Sequence, residues 1–282
     1  MYENFSLKNE TDQSVFIQGY HWGKKEPGFV VCIIHGIGEH AGRYDRMAGK
    51  MQQAGFAVLS MDLRGHGLSS GKRGHCAPRE EVRSDIDALL SYAQSMYPGK
   101  QVILYGHSMG GNILLDYRKR GRCNHVPAAY IASAPWIELV RKVPSYQYAF
   151  LKAVSKIFPR LTISSGVSAK ELGNPGAVGD YEKDPLVHKR ISLQSAAEGF
   201  DIGTALAQGT LADNKGAEGK PLLLMHGTED RICSISGSRK VAAAETCDYI
   251  QWPGLYHEIH NGGAQSNGDE VIERTIQWIL EL

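Results

Sequence analysis

The first half of the chain alternates short unbroken apolar runs with stretches of helical period. Phe29 to Ile34 and Phe56 to Met61 are nearly continuous apolar runs, as expected of strands buried on both faces. Val102 to Tyr105 and Tyr130 to Ser133 repeat the pattern. Between them lie helical segments. One runs from about Arg43 to Ala54 and closes at Gly55. Another covers 79–96, with Val82, Ile86, Leu89, Leu90 and Ala93 at helical spacing before Pro98 and Gly99. Residues 13–20 alternate, and with a turn at Asn9 to Asp12 they predict an opening hairpin. This alternation predicts an α/β protein with a mostly parallel central sheet and helices on both faces.

The alternation stops at residue 136. Residues 136–219 hold no obvious apolar strand, but they do hold an apolar, helical stretch from Tyr146 to Phe158 and several Gly/Pro turns. The pattern resumes at Pro221 to Met225 and continues with a strand at about 248–252. It closes with a helix at 269–282 that carries Val271, Ile272, Ile276, Ile279 and Leu280 on one side. The expected organisation is a core of 1–135 and 220–282, with 136–219 as a helical insertion over the sheet. Two readings of Tyr146 to Phe158 stay open: packing on the core, and an exposed stripe suited to a membrane surface.

Composition narrows the class. A chain of 282 residues suits one core plus an insertion. With 31 basic and 30 acidic residues the net charge is +1, so no nucleic-acid footprint is expected. There is no basic-then-apolar leader pattern and no run of 18 apolar residues. The expectation is a soluble, cytoplasmic protein, open to peripheral contact with a membrane. The cysteines at 32, 76, 123, 233 and 247 show no Cys-x-x-Cys spacing, which fits reduced thiols rather than disulfides or a zinc site. No metal or cofactor is expected, and nothing in the sequence sets the oligomeric state.

One stretch carries the chemistry. After the strand at 102–105 comes Gly106-His107-Ser108-Met109-Gly110-Gly111, then helical Asn112 to Arg120. Strand, Gly-x-Ser-x-Gly, helix is the context of a nucleophile elbow. The flanking glycines relieve the crowding of a very tight turn. The helix then offers its first N–H groups to a developing oxyanion.

A serine hydroxyl needs a base, and the base an orienting acid, in the chain order serine, acid, histidine. The aspartates between Ser108 and the end of the last core strand are Asp116, Asp180, Asp184, Asp201, Asp213, Asp230 and Asp248. Only Asp230 lies a few residues past a core strand end; Glu229 beside it is a weaker choice. After Asp230 the histidines are His257 and His260. His257, on the turn before the last helix, is the expected base, with His260 as the fallback. The oxyanion donors are expected to be the backbone N–H groups of Met109 and Ile37.

A competing pattern overlaps this one. Gly36-Ile37-Gly38-Glu39-His40-Ala41 also reads as Gly-x-Gly-x-x-Ala between strand and helix, with Asp62 ending the next strand. That is a dinucleotide-binding fingerprint, and it would make the protein an oxidoreductase. The fingerprint normally belongs to the first strand of its sheet, and such an enzyme has no need of an ordered Ser/Asp/His set.

Together, His35-Gly36-Ile37-Gly38-Glu39-His40-Ala41-Gly42-Arg43-Tyr44, Asp62-Leu63-Arg64-Gly65-His66-Gly67, Gly106-His107-Ser108-Met109-Gly110-Gly111 and His226-Gly227-Thr228-Glu229-Asp230 resemble the monoacylglycerol lipase and lysophospholipase branch of the α/β-hydrolases. Asp184-Pro185-Leu186-Val187 resembles that branch's cap, and Arg231-Ile232-Cys233 resembles the monoacylglycerol lipases. The resemblance implies an α/β-hydrolase fold and hydrolysis of a monoacylglycerol through an acyl-enzyme on Ser108. It also implies a small lipid ester as the partner molecule, an apolar acyl channel in the cap, and docking of the cap on membranes. Lysophospholipids or other single-chain esters are the alternative substrates. After His257 the chain departs from the branch, with Gly262 and Gly263 following Asn261. Asp62, Arg64 and His66 are expected to brace the loop under the site, and His35 and His107 to support the oxyanion loop and elbow. Cys233 is either a small buried residue or a thiol beside the pocket.

Overall fold

The computed structural model describes residues 2–8 and 15–282. In chain order the strands and helices are β1 (Glu3–Lys8), β2 (Phe16–Trp22), β3 (Phe29–Ile34), α1 (Asp45–Gln53), β4 (Ala57–Met61), α2 (Arg79–Met96), β5 (Gln101–His107), α3 (Met109–Arg120) and β6 (Ala129–Ser133). They continue as α4 (Ser145–Ile157), β7 (Thr162–Ser164), α5 (Pro175–Val178), β8 (Arg190–Ser192), α6 (Leu193–Gln208), β9 (Leu222–Gly227), α7 (Ile235–Ala244), β10 (Asp248–Trp252) and α8 (Asp269–Leu280). Among the described residues the main sheet has eight strands in the order β1-β2-β4-β3-β5-β6-β9-β10. β2 runs antiparallel to both β1 and β4, and the other pairs are parallel. The expected opening hairpin pairs Leu7 with Ile17, but its turn at Asn9 to Asp12 lies outside the described residues.

The apolar runs divide between two cores. On β3, Val30, Cys32 and Ile34 join the cluster with α2 and α3, while Val31 and Ile33 join the one with α1 and α8. On β5, Val102 and Leu104 face one way, Ile103 and Tyr105 the other. A strand's period of two sends alternate side chains to opposite layers, so a strand covered twice reads as an unbroken apolar run. Each large aliphatic side chain removed from water in this way contributes about 1.5–3 kcal/mol.

Helix α2 spans the predicted residues and buries Val82, Ile86, Leu89, Leu90 and Ala93, with Glu80 and Glu81 in its first turn, where the helix dipole favours them. Helix α8 differs from expectation. Leu280 is 54% exposed, and Trp278 packs in its place through a hydrogen bond to Asp248.

Inside 136–219 the structure adds elements with no clear sequence signal. β7 and β8 pair as a short antiparallel ribbon. Helix α6 puts Ile202 and Leu206 into the same cluster as α2 and α3. Its glycines read as breakers, yet they permit close packing. A Cβ at Gly199 would lie 2.7 Å from the Trp136 ring, and one at Gly203 would lie 2.4 Å from the Ile137 carbonyl oxygen. No described helix is long and apolar enough to cross a membrane.

Candidate active site

The central strands end together. Ile34 is in register with Gly106, and His107 with Ser133, so the carboxyl ends of β3, β5 and β6 meet at one edge. Ligands of open parallel sheets bind at that edge. Ser108 sits there between β5 and α3 at φ +56°, in the left-handed region that a non-glycine residue enters only at some cost. The turn survives because two backbones touch on either side of it. A Cβ on Gly110 would lie 2.2 Å from the Ile34 carbonyl oxygen, and one on Gly106 would lie 2.4 Å from that of Gly110. The Ser108 N–H is anchored to Ser133 O at 3.0 Å.

The structure brings Asp230 and His257 to this serine. His257 Nε2 is 2.8 Å from Ser108 Oγ, and His257 Nδ1 is 2.7 Å from Asp230 Oδ2. Asp230 Oδ1 accepts the N–H groups of Ile232 (2.8 Å) and Cys233 (2.9 Å). All three side chains are buried. Burial would push the Asp230 carboxyl up, but His257 and His226 hold it well below the ordinary carboxylate range. Burial would likewise lower His257; the Asp230 carboxylate outweighs it and holds the imidazole above its ordinary value. A serine, a neutral imidazole bonded to it and an ionised acid on the far nitrogen can move the serine proton and take up the charge that results.

His260, the fallback base, lies elsewhere: its ring stacks on Tyr44 at 5.1 Å, and burial lowers its pKa to about 4. Glu229 is exposed. Ile37 and Ser108 line one cavity of about 370 Å³, together with Trp136, Leu139, Leu151, Ile191, Phe200, Ile232 and Cys233 among others. The Cys233 thiol is buried, and burial together with Asp230 pushes it well above its ordinary value. It therefore lines the pocket as a small, unreactive group.

Arg64 and His35, two of the expected braces, are each held by their neighbours. Arg64 makes a two-pronged bond to Asp85, at 2.7 and 2.8 Å. His35 Nδ1 donates to Gly36 O and its Nε2 accepts from the Leu63 N–H, with the imidazole kept neutral by burial. The dinucleotide reading of residues 36–41 fails on the same ground. The Asp62 carboxylate is wholly buried and already takes the Ala41 and Leu68 N–H groups and the Tyr20 hydroxyl. It cannot reach a ribose.

A second buried layer beneath the triad escaped the sequence reading. Arg43 joins Glu39 (2.6 Å) to Glu258 (2.6 and 2.9 Å). Glu39 Oε1 also takes the Gly36 N–H at 2.6 Å. The layer ties the loop after β3 to the loop that carries His257. Burial opposes the charge on Glu258, yet Arg43 holds its carboxyl well below the ordinary range, while burial raises Glu39. The insertion closes over the layer. Arg43 lies 4.7 Å over the Tyr181 ring, His40 meets Asp184 at 2.9 Å, and His188 N–H donates to Gly38 O at 2.8 Å. The available signal was the i, i+4 spacing of Glu39 and Arg43, with Glu258 next to the base. The departure at Gly262 and Gly263 also has a local reason: Gly262 stands at φ +78°, and a Cβ on Gly263 would lie 2.2 Å from Gly254 O.

Removing the cation from this layer leaves two buried carboxylates uncompensated. Arg43→Ala is expected to cost about 3–5 kcal/mol of folding stability. Urea denaturation followed by tryptophan fluorescence measures the loss; a change under 1 kcal/mol, about the worth of an exposed pair, contradicts this account of the layer.

The family model described as serine aminopeptidase, S33 matches residues 25–263. A monoacylglycerol lipase of Mycolicibacterium smegmatis is 32% identical over 259 residues, which is 90% of this chain and 89% of that protein. An uncharacterized abhydrolase domain-containing protein of Dictyostelium discoideum is also 32% identical over 92% of this chain, although the chain spans only 27% of that relative's length. The crystal structure of Paleococcus ferrophilus monoacylglycerol lipase matches with a TM-score of 0.81 at 31% identity, covering 94% of this chain and 98% of that one. These likenesses run through the elbow, the sheet and the insertion alike, and the chain belongs to the serine aminopeptidase S33 family of α/β-hydrolases, on its monoacylglycerol lipase-like branch.

Proposed function

We propose that the protein hydrolyses monoacylglycerols to fatty acid and glycerol through an acyl-enzyme on Ser108. The observation that carries this is a serine bonded at 2.8 Å to a buried imidazole and opening into a narrow, largely apolar cavity. In the first step His257 Nε2 takes the Ser108 proton as Oγ attacks the acyl carbonyl. The tetrahedral oxyanion lies between the N–H groups of Met109 and Ile37. Met109 is the first residue of α3, so its N–H has no acceptor within the helix. Ile37 borders the same cavity as Ser108. Protonated His257 returns its proton to the leaving glycerol oxygen. It then takes a proton from water, which attacks the acyl-enzyme, and passes that proton to Ser108 Oγ as the fatty acid leaves.

In this reading residues 136–219 form the cap. Trp136, Leu139, Leu151, Ile191 and Phe200 line an acyl slot suited to one chain. A single-chain ester fits a cavity of about 370 Å³ better than a triacylglycerol does. The outer side of the cap supports peripheral membrane contact. Tyr146, Phe150 and Ile157 stand at helical spacing along α4 and are each about 70% exposed, continued by exposed Phe158 and Leu161. Of the two readings of this stretch, the exposed stripe is the one that suits pickup of a lipid.

Hydrolysis rates for monoacylglycerols, diacylglycerols, triacylglycerols and lysophospholipids test the proposal. Monoacylglycerols are expected to lead, and Ser108→Ala to lose at least about 10³-fold in kcat. A strong preference for lysophospholipids would move the substrate assignment and leave the chemistry in place. Because protonated His257 cannot act as a base, kcat/KM should fall as the pH drops through its pKa, with the midpoint above about 6.5. Asp230→Asn removes the charge that raises it, so the midpoint should move down and kcat fall by roughly 10³–10⁴-fold. An unmoved midpoint contradicts the role given to Asp230. Flotation with liposomes should carry the wild type upward and leave Phe150→Asp/Ile157→Asp behind; equal flotation of both rules out the stripe as the contact.

A further inference from the structure

His226 takes no part in the reaction above, yet it sits against the group that orients the base. It is wholly buried near the end of β9. Its Nε2 lies 3.1 Å from Asp230 Oδ2, the oxygen that receives His257 Nδ1–H at 2.7 Å. Nε2 is also 3.1 Å from the Cys233 carbonyl oxygen, and Nδ1 is 2.7 Å from Ser238 Oγ. Nε2 therefore faces two oxygens that only accept, and Nδ1 faces a hydroxyl that can donate. In its neutral form the ring is held as the Nε2–H tautomer, with the positive end of that bond on Asp230.

We propose that His226 is a positioning residue for the base: through its Nε2–H it steadies Asp230 Oδ2 and draws off part of the charge that Oδ2 offers to His257. The proposal rests on the roles given above to Ser108, Asp230 and His257. The backbone already fixes Oδ1 through Ile232 and Cys233, so the carboxylate keeps its plane without His226. What His226 changes is how Oδ2 is shared. A donor on a carboxylate oxygen lowers the proton affinity it lends to its other partners. With His226 in place, His257 titrates closer to neutrality, where a base is most useful.

Other titratable groups face this pair. The His107 ring is 4.8 Å from that of His257, with His260 beyond it. Glu258 and Glu39 lie below, joined by Arg43, and the Cys233 thiol is beside Asp230. Among the described residues, only the two imidazoles pair with Asp230 through their side chains.

Two similar substitutions separate the donor from mere packing. His226→Gln places an amide N–H near the position of Nε2. His226→Asn places one near Nδ1 and leaves Oδ2 without a donor. With kcat/KM followed against pH on a soluble p-nitrophenyl ester, the acid limb of His226→Asn should move up by about half a unit to one unit, the size of a neutral hydrogen bond. His226→Gln should keep the wild-type limb. An unmoved limb in His226→Asn, or equal movement in both variants, overturns the proposal. Nitrogen-15 NMR of the wild type supplies a test that needs no variant to fold: Nε2 protonated and Nδ1 bare is expected, and the reverse overturns it. Failure of the hydrolase reading looks different, as ester hydrolysis that persists undiminished in Ser108→Ala.

Discussion

The backbone has almost no room where α3 begins. The carbonyl oxygen of Ile34 on β3 sits where a side chain on Gly110 would have to start, and that of Gly110 where one on Gly106 would. This contact holds Ser108 at φ +56°, a conformation that costs on the order of 1–3 kcal/mol. The surrounding sheet supplies the restraint, since β3, β5 and β6 are paired in register up to the turn. The strain has a chemical use. It lifts the hydroxyl off the sheet toward His257 and leaves the Met109 N–H at the head of a helix.

Two buried polar layers then fix what surrounds the serine. The upper one is Asp230, supported by two backbone N–H groups and two imidazoles. The lower one is Arg43 between Glu39 and Glu258. Glu39 holds the Gly36 N–H, next to Ile37, while Glu258 follows the base directly in the chain. One guanidinium thus spaces the loop after β3 against the loop that carries His257, and Tyr181 from the insertion lies on its face. Residues 136–219 thus bear directly on the layer that ties these two loops together.

The central strands were legible because they are covered on both sides and therefore unbroken in apolar character. Asp230 and His257 emerged by elimination, since one acid follows a core strand and few histidines remain after it. The hidden elements share a physical reason. α6 packs through Gly199 and Gly203, residues that read as breakers, and α7 buries little beyond Gly237, Ser238 and Val241, which leaves a faint period. Glu258 offered only its place next to His257, because its partner Arg43 lies 215 residues away in the chain, and His226 stood in a motif that did not reveal its contact with Asp230. The glycine pattern at 36–41 pointed two ways until Asp62 proved to be occupied by its own neighbours.

The central claim is that Ser108 Oγ forms the acyl bond. Intact mass spectrometry after treatment with a long-chain fluorophosphonate, followed by peptide mapping, addresses it directly. One adduct per chain is expected, on the peptide that contains Ser108, and none in His257→Ala over the same time. An adduct on another residue, or undiminished labelling of Ser108→Ala, would contradict it.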